Sequence, residues 1–269
     1  NGVAYYSPSS SKFNTIPLGD VCTITQDLAG NLWCGTNDMG IVGYNPVTGQ
    51  TWHFGQAQTG LGSDVVVSSV TMKDGTMYFG TFNGGFTQFK NGRWKAFNIS
   101  NSGLANNSVW CFQEDPQHRL LIGTLGSGVQ IFDPVTEKFS TFNIANSGIT
   151  SNFINSIFLL NNHEALIGHS QYISVFDLHS RKMTNINSTK DGTPFESPSV
   201  NYAMKDSRGI LWMASPGGIS MYDSSNGQYE SINELNGTTG AVGCAVVEDK
   251  QHNIWLVSEF IVTRVTLTK

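Results

Sequence analysis

Six copies of one short pattern divide the chain: Leu32-Trp-Cys-Gly-Thr36, Met77-Tyr-Phe-Gly-Thr81, Leu120-Leu-Ile-Gly-Thr124, Ala165-Leu-Ile-Gly-His169, Leu211-Trp-Met-Ala-Ser215 and Ile254-Trp-Leu-Val-Ser258. Their last residues lie 45, 43, 45, 46 and 43 positions apart. A fixed period of ~20 to 50 residues restricts a chain to solenoids, propellers or tandem arrays. Around each copy the same four-part unit recurs. An apolar stretch ends near an acid, as in Val21 to Asp27, Val109 to Asp115, Val200 to Asp206 and Gly243 to Asp249. A polar turn follows, then the apolar triplet, a Gly-rich bend, and a stretch with one aromatic: Tyr6, Tyr44, Phe89, Phe132, Phe176 or Tyr222. A second turn leads to a pair of large apolar residues: Phe13 and Ile16, Trp52 and Phe54, Trp94 and Phe97, Phe139 and Phe142, Met183 and Ile186, Tyr229 and Ile232.

Four short strands joined by hairpin turns make one propeller blade. A helical solenoid would need a 3.6-residue period, which is missing. The fold expected is therefore all-β, a propeller of four-stranded antiparallel blades. One blade cannot bury both of its faces alone, but packing against two neighbours does so. Trp33, Trp212 and Trp255 fit as plates between blades, and Gly35, Gly80, Gly123 and Gly168 let backbones approach closely. The units fall at about 1–17 (partial), 18–60, 61–103, 104–148, 149–196, 197–240 and 241–269 (partial), within a single domain 1–269. Residues 2–16 match only the third and fourth strands of a blade, and 241–269 only the first three. The chain thus reads as an arc of a longer propeller, of six to seven blades. The last unit is atypical, with Val257 in the glycine place, Glu259-Phe260 at the bend and Val265 for the aromatic.

Charged residues make up 13% of the 269, about half the usual share, and the net charge is −5. This balance argues against a nucleic-acid partner. No run approaches the ~18 to 20 apolar residues of a membrane span. Cys22, Cys34, Cys111 and Cys244 lie in strand patterns without CxxC spacing, so they read as buried thiols and not as a zinc site. No cofactor is expected. No GxSxG elbow, P-loop or dinucleotide fingerprint occurs. Asp27, Asp115, Asp206 and Asp249 recur at one repeat position, which reads as turn chemistry and not as paired acids for hydrolysis. His118, His163 and His252 fall in the same hairpin turn. The sequons at Asn98, Asn106, Asn187 and Asn236 carry little weight in so Asn-rich a chain.

One position varies when the repeats are stacked. Val21, Val67, Val109, Ile154 and Val200 are uniformly apolar, whereas the next place holds Cys22, Ser68, Trp110, Asn155, Asn201 and Cys244. Such variety suits a surface shaped for a ligand. Trp110 with Asn155 and Asn201 reads either as a stacking platform with amide hydrogen-bonders or, for Trp110, as one more plate between blades. His169, which replaces the Thr or Ser of the other repeats, and Asn83 at a bend are candidates for the rim of the same site.

Asp27-Leu-Ala-Gly-Asn-Leu-Trp-Cys-Gly-Thr36 closely resembles the two-component regulator propeller repeat. Asp206 to Ser215 and Asp249 to Ser258 are similar to looser copies, and Gly128-Val-Gln-Ile-Phe-Asp-Pro134 fits the third-strand pattern. The resemblance implies a seven-bladed ring in the periplasmic sensor region of a hybrid histidine kinase, with further blades and a β-sandwich as neighbours in the same sensor. It implies a non-catalytic, ligand-sensing domain for an oligosaccharide or other polar ligand. The alternatives are a protein–protein scaffold and a lyase of the streptogramin type. An exposed sheet edge at the partial units would favour a homodimer.

Overall fold

The computed structural model describes residues 2–7, 12–195, 197, 199–223, 225–232, 243–258 and 262–265. The bend at Glu259-Phe260, the sequon at Asn236 and the side chains of Tyr6 and Phe13 lie outside these residues. Strand β1 (Val3–Ser7) pairs antiparallel with β2 (Lys12–Ile16) as a two-stranded sheet. Blade one follows as β3 (Val21–Gln26), β4 (Leu32–Thr36), β5 (Ile41–Tyr44) and β6 (Thr51–Phe54). A single helical turn, α1 (Gln56–Thr59), leads to blade two, β7 (Val66–Thr71), β8 (Met77–Thr81), β9 (Phe86–Lys90) and β10 (Arg93–Phe97). Blade three is β11 (Val109–Glu114), β12 (Leu120–Thr124), β13 (Val129–Asp133) and β14 (Lys138–Phe142). Blade four is β15 (Ile154–Leu159), β16 (Glu164–His169), β17 (Tyr172–Asp177) and β18 (Met183–Ile186). Blade five is β19 (Tyr202–Lys205), β20 (Leu211–Ser215), β21 (Gly218–Asp223) and β22 (Gln228–Ile232), and blade six is β23 (Gly243–Glu248), β24 (Ile254–Ser258) and β25 (Val262–Val265).

The all-β, four-stranded antiparallel reading holds, but the leaning towards seven blades does not. The structure is a six-bladed β-propeller: five sheets of four strands and a sixth of three. Each blade is built on its apolar second strand, and the described residues hold six of those: β4, β8, β12, β16, β20 and β24. The β1–β2 hairpin is a separate two-stranded sheet and carries no such strand. Two compact units share the chain, 1–124 with 130–140, and 125–129 with 141–269.

In the first unit Trp33 is the plate between blades one and two. Its ring stacks on Phe54 of β6 at 5.5 Å and meets Phe79 of β8 at 6.2 Å and Phe89 of β9 at 5.3 Å. In the second unit Trp212 is fully buried and packs with Val246, Ile254 and Leu256 of blade six. The glycine of the second strand is required by the next blade. A Cβ at Gly35 would lie 2.7 Å from Val66 O, and one at Gly80 would lie 2.8 Å from Val109 O.

The repeated acid and tryptophan form one device. Asp27 Oδ1 accepts the backbone N–H groups of Ala29 (3.0 Å) and Asn31 (2.9 Å), which closes the turn, and Oδ2 accepts the Trp33 indole N–H at 3.0 Å. Asp206 does the same with Arg208, Ile210 and Trp212, and Asp249 with Gln251, Asn253 and Trp255. Blade three has Leu121 in the tryptophan place, and there Arg119 Nε donates to Asp115 Oδ2 at 2.7 Å instead. The turn needs a left-handed residue before its last member: Gly30 (φ 88°) and Gly209 (φ 91°) take it, as do His118 (φ 59°) and His252 (φ 63°).

The linkers repeat as closely as the strands. Asn98 Oδ1 accepts from the N–H of Ser100 (2.9 Å), Asn101 Oδ1 from that of Asn98 (2.8 Å), and Asn107 Oδ1 from that of Ile99 (3.0 Å). Asn143, Asn146 and Asn152 make the same three bonds to Ala145, Asn143 and Ile144. Much of the asparagine in the chain is therefore committed to holding linkers, each amide replacing a missing ladder partner.

Candidate functional site

The variable position is a β-bulge. Pairing of β3 with β4 runs Val21↔Thr36 and then Thr23↔Gly35, which leaves Cys22 extra. The same skip leaves Val67, Trp110, Asn155 and Cys244 extra in blades two, three, four and six. Asn201 takes the place in blade five, where its N–H donates to Ala214 O at 2.8 Å. A bulge residue is outside the ladder and the strand bends there, so its side chain is free of the core. The register corrects the alignment by one residue in blade two: Val66 belongs to the apolar series and Val67 to the variable one. The run Val65-Val66-Val67 has no alternation from which to read its phase. Ser68, one step on, is buried and donates to Val109 O of blade three at 2.9 Å.

The six side chains do different things. Trp110 is 37% exposed, and the thiols of Cys22 and Cys244 belong to exposed residues, whereas Val67 is half-buried. Trp110 is thus not a buried plate of the Trp33 or Trp212 kind. Asn155 Nδ2 donates to Val200 O at 2.9 Å, and Asn201 Nδ2 donates to Gly243 O at 3.1 Å. Both amides tether one blade to the first strand of the next. Asn83 is exposed, has φ 65°, and accepts the Ser108 hydroxyl on Oδ1 at 2.9 Å. Trp110 and Asn83 belong to the first unit, and Asn155, His169 and Asn201 to the second.

His169 is fully buried. Its Nδ1 accepts the Gln171 N–H at 3.1 Å, so the ring proton sits on Nε2, which donates to Ser174 Oγ at 2.9 Å. Ser174 donates on to Asn185 Oδ1 at 2.7 Å. Burial pushes the imidazole pKa down to about 4 and keeps it neutral. Thr36 and Thr81 accept an N–H of the bend in the same way, from Met39 and Gly84 at 2.9 Å each. His169 therefore caps its bend as the threonines do.

The other groups with chemistry in them are occupied as well. Ser207 Oγ, Glu248 and His252 come together, but Ser207 and Glu248 both meet the same ring atom, Nδ1, at 3.0 and 2.9 Å. A relay needs the base on one nitrogen and its orienting acid on the other. Cys111 and Cys34 are pushed up to about 12 and about 11 by burial, where a thiol is inert. Among the described residues no three His, Cys, Asp or Glu side chains form a group able to hold a metal ion. The sequence reading passed over exposed Phe82 in the bend beside Asn83 and exposed Met39 in the bend of blade one. Their signal was a large apolar residue where a bend is otherwise polar.

Residues 103–126, which include the bulge and the second strand of blade three, match the family model described as two-component regulator propeller. The copy matched is not Asp27–Thr36, whose residues carry the resemblance in the sequence, but the one in blade three. No curated protein matches in sequence. Among solved structures, the extracellular domain assigned to the hybrid two component system BT3049 of B. thetaiotaomicron is similar at a TM-score of 0.62 with 20% identity, over 98% of this chain and 42% of that one. A second extracellular domain from B. thetaiotaomicron, assigned to the one component system BT4673, gives 0.67 with 18% identity over 91% and 38%. A streptogramin B lyase gives 0.77 with 12% identity over 98% and 86%. At these identities the likeness is one of fold. The chain spans 42% of the length of the first of these structures.

Proposed function

We propose that this chain is the ligand-sensing propeller of an extracytoplasmic sensor of the two-component type, that it catalyses nothing itself, and that its ligand is a neutral oligosaccharide or another uncharged polar molecule. The observation that carries the reading is the two-component regulator propeller repeat at 103–126, which contains Trp110, an indole 37% exposed at a bulge. An aromatic face takes up C–H surface, and the amide of Asn83 offers hydrogen bonds to hydroxyls, a pairing that suits sugars better than ions. Asn155, Asn201 and the bend capped by His169 are the corresponding candidates in blades four and five. The turn acids support a binding role over a catalytic one, because their oxygens are engaged by backbone N–H groups and indoles. No helix among the described residues is long and apolar enough to cross a membrane. On this reading the propeller sits in the periplasm, with further blades and a β-sandwich of the same sensor as partners and a second copy as a dimer mate.

Calorimetry against a panel of neutral oligosaccharides tests it. Trp110→Ala is expected to lose about 1 to 3 kcal/mol of binding, the scale of an anchoring aromatic, with an unchanged melting temperature. Unchanged affinity removes Trp110 from the site. A collapsed melting temperature makes it a packing residue.

A further inference from the structure

The linker before blade five breaks a closure that the linkers before blades two, three and four make. Leu61, Leu104 and Ile149 stand five residues before Val66, Val109 and Ile154, and Phe195 keeps that place before Val200, all of them buried. In blades two to four a polar residue of the third strand then fastens the linker down. Thr87 Oγ1 donates to Thr59 O at 2.9 Å, and Gln130 Nε2 to Gly103 O at 3.1 Å. Ser174 reaches its linker through Asn185, whose Nδ2 donates to Gly148 O at 2.9 Å. In blade five the equivalent residue is Ser220, opposite Met213 as Thr87 is opposite Phe79 and Ser174 opposite Ile167. Among the described residues Ser220 makes no such bond to the linker. It faces a cavity of about 200 Å³ between the linker and the bend of blade five.

The lining has two chemistries. Phe195, Met213 and Ile219 give an apolar side, and Ser220 brings a hydroxyl, with Ser197 beside it, whose Oγ donates to Ser199 O at 3.2 Å and can still accept. A hydroxyl both donates and accepts, so it matches another hydroxyl in either sense. No charged side chain among the described residues lines the space. A dry cavity of ~150 Å³ already admits benzene, so this one has room for a substituted six-membered ring. We propose that this cavity is a binding site for a small, neutral, polyhydroxylated ring, seated with its C–H face on Phe195, Met213 and Ile219 and its hydroxyls on Ser220 and Ser197. Trp110 lines no part of it, and the proposal does not draw on the oligosaccharide reading.

Gly217 provides the means of closing the site. A Cβ there would lie 3.8 Å from Ser197 Cβ and 4.0 Å from Ser215 Oγ, ordinary contacts with two residues of the same lining. Its backbone is not left-handed, so a side chain can be built on it. Saturation-transfer NMR with methyl α-glucopyranoside, methyl α-mannopyranoside, methyl α-galactopyranoside and myo-inositol as probes should detect at least one binder, with a dissociation constant on the order of millimolar. Ser220→Val should weaken it about three- to tenfold, the range of one hydrogen bond, and Gly217→Leu should abolish it. Where Gly217→Leu fails to fold, Ser220→Ala takes its place with the same expected weakening. Absence of a signal from all four probes with the wild-type chain overturns the proposal. So does binding that is equal to wild type in the folded variants.

Discussion

At the scale of single residues, the acid and tryptophan six positions apart carry a consequence for pH. The Trp255 indole N–H, with the Asn253 and Gln251 donors, holds Asp249 down from its ordinary 3.8 to about 2. A carboxylate with a depressed pKa contributes stability above its unfolded value and loses it as pH falls through the folded one. The Asp249 contribution is thus present at pH 4 and above and disappears towards pH 2. Trp255→Phe should bring the Asp249 carboxyl back up towards 3.8 and flatten the pH dependence in that window, which carboxyl-carbon NMR titration reads directly. An unmoved carboxyl would show that the indole bond is not what depresses it. For the fully buried Trp212, truncation to Ala should cost about 3 to 5 kcal/mol in urea unfolding. Trp212→Phe should cost only about 1 to 2 kcal/mol, since Arg208 still pairs with Asp206 at 2.6 Å. The turn acid and the tryptophan plate were each legible in the sequence, because both recur at a fixed place in the repeat, but the bond between them was not. The role of His169 was not. Its replacement of threonine is visible, but that an imidazole nitrogen can accept the bend N–H depends on geometry.

At the scale of strands and linkers, the second-strand glycines make a graded prediction. Gly80→Ala would drive a Cβ to 2.8 Å from the Val109 carbonyl oxygen of the next blade, whereas at Gly168 the corresponding oxygen of Val200 is 3.3 Å away. Blade five already carries a Cβ in this place, at Ala214. Gly80→Ala should therefore cost more than Gly168→Ala, at about 1 to 3 kcal/mol for overpacking, and chemical denaturation of the two variants checks the order. Strand identity was readable because apolar triplets and turns alternate. The linkers were equally periodic, Asn98-Ile-Ser-Asn-Ser-Gly against Asn143-Ile-Ala-Asn-Ser-Gly. Their role is not legible there, because their bonds run from amide side chains to backbone, which no hydrophobic pattern records. The same limit explains the slip at Val66 and Val67, where β-branched neighbours on both sides hide which face is which.

At the scale of the whole molecule, the low charge decides how binding should respond to salt. With 13% charged residues and uncharged side chains at Trp110, Asn83, Asn155 and Asn201, there is little Coulomb attraction to screen. Affinity for a neutral oligosaccharide should stay within about twofold between 50 and 500 mM salt, and a steep loss by calorimetry would point to an ionic ligand. The blade count was in the sequence as six triplets, and the lean to seven came from the resemblance. The bulge has one more consequence. It sets a single residue per blade outside the ladder, and in blades four and five that residue, Asn155 or Asn201, is bound to backbone of the following blade. Positions 22, 67 and 110 are thus interchangeable parts on a constant chassis. Randomising those three codons would yield a library of receptors that differ in what they recognise while sharing one melting curve.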